Sequence, residues 1–258
     1  MVDVHSHILW GLDDGPKSID QSIAMLRAAA ESGTTDIVAT PHLNPRYTFD
    51  RSLTQQKIAE LTEATNGLPR IHIGCEFHLT FDNVDLFLQS PSTYTINGQR
   101  YLLLECPNSH IGSHTESILK RFLEAGIVPV IAHPERNPIL ASEKSSRLEA
   151  WVELGCLTQV TALSIMGGFG ASAKASSMRL IERGLVHVVA SDTHDIEIRH
   201  PRLSDSHGAI SARFGSEAAE ILFVENPQAI VKGEALPGGK QTFGESSTPW
   251  YRFWKRPV

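Results

Sequence analysis

Short apolar runs recur along the chain at 2 to 5, 36 to 40, 71 to 75, 101 to 104, 127 to 132, 157 to 161 and 185 to 190. Each has the length of a buried strand, and the stretches between them carry apolar residues at helical spacing. Helices are predicted at 18 to 32, where Ile19, Ile23, Leu26 and Ala29 form one stripe, and at 113 to 125, 142 to 154 and 173 to 183. Gly33, Gly126, Gly155 and Gly184 stand where these patterns stop, as expected of a helix terminator. From the second run onward the starts lie 26 to 35 residues apart, with no sequence repeat. The alternation predicts an α/β protein of seven parallel strands with helical crossovers.

Polar residues at the downstream ends of these runs sharpen the picture. Val2-Asp3-Val4 leads into His5-Ser6-His7, whose alternation sends both imidazoles to one face. His42 follows the second run, Glu76 the third, Glu105 the fourth and His133 the fifth; Asp192 and His194 follow the last. One such residue would simply meet solvent. So many metal-ligating side chains at successive strand ends point to a multinuclear metal site. A closed or nearly closed βα barrel gathers strand ends around one mouth, whereas an open sheet serves a single crevice, so ligands from almost every strand favour the barrel.

Imidazole and carboxylate ligands without thiolates suit zinc, iron or manganese. Two or three ions are needed to use this many ligands. Such ions acidify water and contact phosphoryl oxygens. Asp13-Asp14-Gly15-Pro16 is a turn former that also returns a carboxylate to the site; Asp14 is preferred as the ligand and Asp13 is the alternative. Three divalent ions against Asp14, Glu76, Glu105 and Asp192 leave a local charge of about +2, which favours an anionic substrate. Asp3, placed one pleat below His5, is expected to hold a ligand imidazole. Arg136 and Arg199 lie in bordering loops, and a guanidinium fork suits phosphate. His72 and His187 are expected within strands and His200 and His207 on helices or the surface. His78, Arg46 and Tyr47 are candidates for substrate contact, and His110 and His114 have no assigned role.

A chain of 258 residues with 41% hydrophobic side chains is long enough for one large α/β domain. Its formal charge of −6 argues against nucleic acid as the main partner. Cys75, Cys106 and Cys156 are too few and too scattered for a disulfide framework. None has an Arg six residues later, so the Cys-x5-Arg loop of thiolate phosphatases is absent. No leader pattern precedes His5 and no apolar run approaches the roughly 20 residues that span a bilayer, so a cytoplasmic protein is expected. The expected boundary is a barrel at 1–233 and a Gly/Ser/Pro linker with an aromatic-basic tail at 234–258. The tail reads first as a mobile end or a strap over the barrel, and second as a segment that contacts a membrane surface or a partner.

Asp3-Val4-His5-Ser6-His7 with Asp13-Asp14-Gly15-Pro16-Lys17-Ser18, the stretch Pro129 to Arg136, and the stretch Leu185 to His194 resemble the PHP (polymerase and histidinol phosphatase) superfamily. Within it they are similar to the CpsB/CapC-type bacterial tyrosine-protein phosphatases of capsule and exopolysaccharide loci, with the likeness running from residue 1 to about 232. The resemblance implies a distorted (β/α)7 barrel with its metal site at the C-terminal end of the strands. It implies three divalent metal ions (Mn, Fe or Zn): one held by His5, His7, Glu76 and Asp192, a second by Glu76, Glu105 and His133, and a third by Asp14, His42 and His194. Arg136 and Arg199 would bind phosphate. The implied partner is the phosphorylated tyrosine-rich tail of a membrane-associated tyrosine kinase that controls polysaccharide synthesis and export; self-association is left open. The alternatives are a small-molecule phosphatase such as a histidinol-phosphatase, or a noncatalytic metal-binding module.

Overall fold

The computed structural model describes residues 1–142 and 146–237. Nine strand segments run β1 (Val2–Ser6), β2 (Asp36–Ala39), β3 (His42–Leu43), β4 (Arg70–Ile73), β5 (Glu76–His78), β6 (Tyr101–Glu105), β7 (Val128–Ala132), β8 (Leu157–Thr161) and β9 (Val188–Ala190). Every ladder between them is parallel. Two interruptions split what are physically seven strands. Thr40-Pro41 separates β2 from β3, and proline has no N–H to give the ladder. Gly74-Cys75 separates β4 from β5, and a Cβ at Gly74 would lie 2.9 Å from Val38 Cγ1. Backbone bonds carry the sheet across both gaps: Thr40 N–H donates to Ser6 O at 2.8 Å, Gly74 N–H to Ala39 O at 2.9 Å and Glu76 N–H to Pro41 O at 3.1 Å.

The ring closes between the last and first strands. Asp192 N–H donates to His5 O at 2.8 Å and His7 N–H to Thr193 O at 2.9 Å, with a parallel bridge between Ser6 and Thr193. Asp3 fastens the same seam, its carboxylate accepting from Ser191 N at 3.0 Å and Ser191 Oγ at 2.5 Å. Burial lifts the Asp3 pKa to about 6 although these bonds oppose the rise. The expectation that Asp3 holds an imidazole is therefore wrong. Pairing with β2 slips between Asp3 and Ser6, so a bulge breaks the simple alternation on which that expectation rested.

A helix follows each strand, and the predicted stripe at 18 to 32 forms the helix Ile19–Glu31, whose Met25, Leu26 and Ala29 are buried. Its start is capped by Ser18, which accepts from Gln21 N–H. The predicted stop at Gly155 is a left-handed C-cap with φ of 109°, a conformation glycine takes without steric cost. The last run is shorter than expected, since only Val188–Ala190 pairs as strand while Leu185 and Val186 pack in the core. The periodicity did not single out the helix Arg51–Ala64, because only Thr54 and Leu61 of it are buried.

Alternate strand positions divide the core. Leu102, Leu104, Ile131, Val160 and Val189 pack outward against Leu119, Phe122, Trp151 and Ile181 of the helices. Val38, Leu103, Val130, Ala132 and Val188 pack together with Ile230 and Val231 of the helix Asn226–Lys232. Of the predicted tail, 234–237 run along the barrel, where Tyr101 Oη donates to Glu234 O at 2.5 Å and Leu236 packs on this second cluster. The remaining 238–258 lie outside the described residues. No helix among the described residues is long and apolar enough to cross a membrane.

His187 sits just before β9 with its Nδ1 accepting from Thr158 N–H at 3.1 Å. Burial pushes its pKa down to about 4. Its unfolded form, at about 6.5, binds a proton more readily. Stability is thus unaffected by this group above that value and falls as the pH drops toward 4. His187→Asn, which keeps an acceptor for Thr158, should gain on the wild type in urea midpoint as pH falls from about 7 to about 4.5; a pH-independent difference would refute the assignment.

Candidate metal centre

Nine of the residues read from the sequence, His5, His7, Asp14, His42, Glu76, Glu105, His133, Asp192 and His194, converge at the carboxyl ends of the strands. Their donor atoms form four overlapping groups: His7, Asp14, His42 and His194; His5, His7 and Asp192; His5, Glu76 and His133; and His42, Glu76 and Glu105. Glu105 thus groups with His42, and its Oε1 stands 4.0 Å from His133 Nε2. Strand ends alone do not deliver this. His133 and Asp192 hold φ values of 34° and 52°, left-handed conformations that cost a non-glycine residue free energy. Both residues turn out of their strands at the mouth.

Many of these donor atoms lie closer together than unlinked side chains need to. Among His5 Nε2, His7 Nε2, Glu76 Oε2 and Asp192 Oδ1, five of the six separations lie between 3.2 and 3.5 Å. Asp14 Oδ1 likewise stands 3.4 Å from His42 Nε2 and 3.2 Å from His194 Nε2.

Three imidazoles are locked in the tautomer a metal needs. His5 Nδ1 faces Gln159 Oε1 at 2.9 Å, His7 Nδ1 faces Asp13 Oδ2 at 2.7 Å and His194 Nδ1 faces Asp192 O at 3.1 Å. Each acceptor keeps the proton on Nδ1 and leaves the Nε2 lone pair for the centre. Asp13 is the orienting carboxylate, buried and also accepting from Gly15 N–H and His42 N–H. Asp14 is half-exposed and turned toward the ligands. His42 Nδ1 lies 2.8 Å from Glu76 Oε2, yet neither atom makes an aligned hydrogen bond, and His194 Nε2 is likewise buried without one. Converging lone pairs explain close approach without hydrogen bonding, so the residues present fit divalent cations.

Electrostatics supports the same reading. Burial opposes ionisation of Glu76, but the neighbouring His5, His133 and His42 hold its pKa well below the usual range. Burial likewise opposes protonation of His7 and His42, but Asp13 and Asp14 with Glu76 respectively raise them to about 9 and about 11. For His194 burial prevails and its pKa falls to about 4. Protons and divalent cations compete for these lone pairs, so metal uptake releases protons.

Asp192 links the ligands to the two predicted arginines. Its Oδ2 accepts from Arg136 Nη2 at 2.5 Å and pairs with Arg199 Nη2 at 2.8 Å. Burial would raise the Asp192 pKa, and the charges of Arg136, His5 and Arg199 overcome it and keep the carboxylate ionised. The Nε atoms of both guanidiniums are buried with no partner among the described residues. His78 donates from Nδ1 to Glu105 Oε2 at 2.7 Å, and Tyr47 stacks on His42 at 5.9 Å. A cleft of about 590 Å³ opens beside Asp14 and His194 between Ala24, Met25, Ile196 and Ile198. A second cavity of about 400 Å³, among Tyr101, Val128, Leu157 and Leu236, lies at the opposite end, away from the clustered ligands.

Residues 1–232 match the family model for capsular polysaccharide synthesis, CpsB/CapC. The chain belongs to the CpsB/CapC family. Among CpsB/CapC relatives, the putative tyrosine-protein phosphatase CapC of Staphylococcus aureus is 38% identical over 204 residues, 77% of this chain and 79% of that one. Tyrosine-protein phosphatase YwqE of Bacillus subtilis is 33% identical over 246 residues, covering 92% and 93%. A crystal structure from work on YwqE of Bacillus subtilis and CpsB of Streptococcus pneumoniae, described as unique metal-dependent tyrosine phosphatases, matches with a TM-score of 0.85 and 33% identity over 92% of this chain and 96% of that one. The phosphotriesterase from Mycobacterium tuberculosis, at a TM-score of 0.58 and 14% identity, shares the fold alone.

Sequence reading did not find Gln159; its amide inside the strand run Leu157-Thr158-Gln159-Val160-Thr161 was the visible signal, and the structure buries it fully. Gln159→Leu should lower metal affinity about 10- to 100-fold without unfolding the barrel. Titration of the apoprotein with Mn²⁺ or Zn²⁺ by calorimetry checks this, and wild-type affinity would show that the Nδ1 contact does not orient His5.

Proposed function

We propose that this barrel, residues 1–233, is a metal-dependent protein-tyrosine phosphatase acting on the phosphotyrosine tail of a membrane-associated bacterial tyrosine kinase that controls capsule or exopolysaccharide synthesis and export. The observation that carries it is the divided Asp192 carboxylate: Oδ1 faces the imidazole cluster and Oδ2 holds two guanidiniums whose Nε donors are unused. A phosphoryl group bound there would have the guanidiniums on one side and the residues that would hold the ions on the other.

His5, His7, Glu76 and Asp192, then Glu76, Glu105 and His133, then Asp14, His42 and His194 are the residues that would hold three ions of manganese, iron or zinc. Bound there, such ions supply Lewis acidity and an acidified water. Arg136 and Arg199 bind and orient the phosphoryl oxygens, each through a planar fork. Tyrosine leaves as a phenolate of pKa about 10, so little proton donation is needed at the leaving oxygen. Cysteine takes no part. Burial raises Cys75 well above its ordinary value and Cys106 and Cys156 to about 12, so none is a thiolate near neutrality. The open cleft beside Asp14 suits a peptide, and on this reading the enzyme lies in the cytoplasm, meeting its kinase at the membrane face.

With manganese bound, phosphate release from a phosphotyrosyl peptide should exceed that from histidinol phosphate. His133→Ala and Arg136→Ala should each lower kcat/KM by about 100-fold or more, equivalent to about 2.7 kcal/mol. Equal turnover of histidinol phosphate would reassign the substrate, and folded variants with undiminished phosphate release would remove these residues from the site.

A further inference from the structure

The loop after β8 carries Met166-Gly167-Gly168-Phe169-Gly170, a feature the metal centre does not use. It joins the helix Ala162–Met166 to the helix Gly170–Glu182. Gly167 and Gly170 hold φ of 94° and 90°, and a Cβ at Gly168 would come within 2.5 Å of the Leu163 side chain. The glycines let the chain turn sharply on either side of a single aromatic ring.

That ring meets both arginines of the site. The Arg136 guanidinium carbon lies 4.5 Å from the Phe169 ring centroid and the Arg199 carbon 5.7 Å from it. Two like charges that share one carboxylate oxygen repel one another. Asp192 Oδ2 anchors one Nη2 of each, but a single oxygen cannot fix the planes of two forks. The ring's negative π system attracts each guanidinium, so one side chain acts on both.

We infer that Phe169 is a positioning residue that orients Arg136 and Arg199 for phosphate by holding both guanidiniums against its ring. This rests on the phosphatase reading above. Phe169 carries no metal-ligating atom and, by this inference, acts through the arginines and not on the reacting atoms. Its loss should therefore weaken phosphate capture more than it slows the chemical step.

The test compares Phe169→Leu, which keeps apolar bulk but removes the π face, with Phe169→Trp, which restores it. Manganese-loaded wild type and variants are titrated with inorganic phosphate by calorimetry, assayed on an aryl phosphate, and analysed for bound metal. Phe169→Leu is expected to weaken phosphate binding and raise KM about tenfold, with kcat changed less than about threefold and metal content unchanged, and Phe169→Trp to recover most of the loss. Wild-type phosphate affinity and KM in Phe169→Leu would overturn the inference, as would loss of metal or thermal stability in both variants, which would make the ring ordinary packing. The two readings fail differently: metal-loaded wild type that neither binds phosphate nor cleaves an aryl phosphate sinks the phosphatase assignment itself.

Discussion

Glu76 and Asp192 each keep only 1% of their surface in solvent, and an ionised carboxylate left alone there would cost several kcal/mol. The rest of the barrel mouth is arranged around that cost. His5 and His7 approach both carboxylates, His42 and His133 approach Glu76, and Arg136 and Arg199 approach Asp192. Divalent ions on the same lone pairs would answer the charge more fully than protons. Removing one partner leaves the others buried and uncompensated, so the site behaves as a unit rather than as a sum of pairs.

Around this charged centre, groups outside the ligand cluster fix orientation. Gln159 and Asp13 hold the far nitrogens of His5 and His7, and a backbone carbonyl holds that of His194. Asp3 and Ser191 tie the seam between the first and last strands, which keeps His5 and Asp192 in register across the closure. The left-handed backbone at His133 and Asp192 is the conformational cost of turning two site residues out of regular strands. A closed ring of strands tolerates that cost because each neighbour over-determines the position of the next.

The scaffold itself does not choose the chemistry. A phosphotriesterase shares the fold at 14% identity, and function resides in the side chains at strand ends and in the loops beyond them. Here two arginines stand beside the clustered imidazoles and carboxylates, and the loop bearing Phe169 is placed where it meets both.

Much of this was legible before any fold was known. Apolar runs and glycine stops are local signals, so seven strands, the helix Ile19–Glu31 and the helix end at Gly155 follow from spacing alone. The ligand types stood out because imidazoles and carboxylates repeat at strand ends. The polar helix Arg51–Ala64 left too little apolar stripe to be read, and the bulge after Asp3 left no mark, since any residue can occupy one. Residue types and their positions along each βα unit were therefore set by the sequence. Only the closed barrel decided that Asp13 orients while Asp14 faces the ligands, that Gln159 holds His5, that Asp3 clamps a seam, and that one carboxylate serves both imidazoles and arginines. Those choices depend on register around a ring joining residues far apart in the chain, and local periodicity carries no information about which atoms then meet.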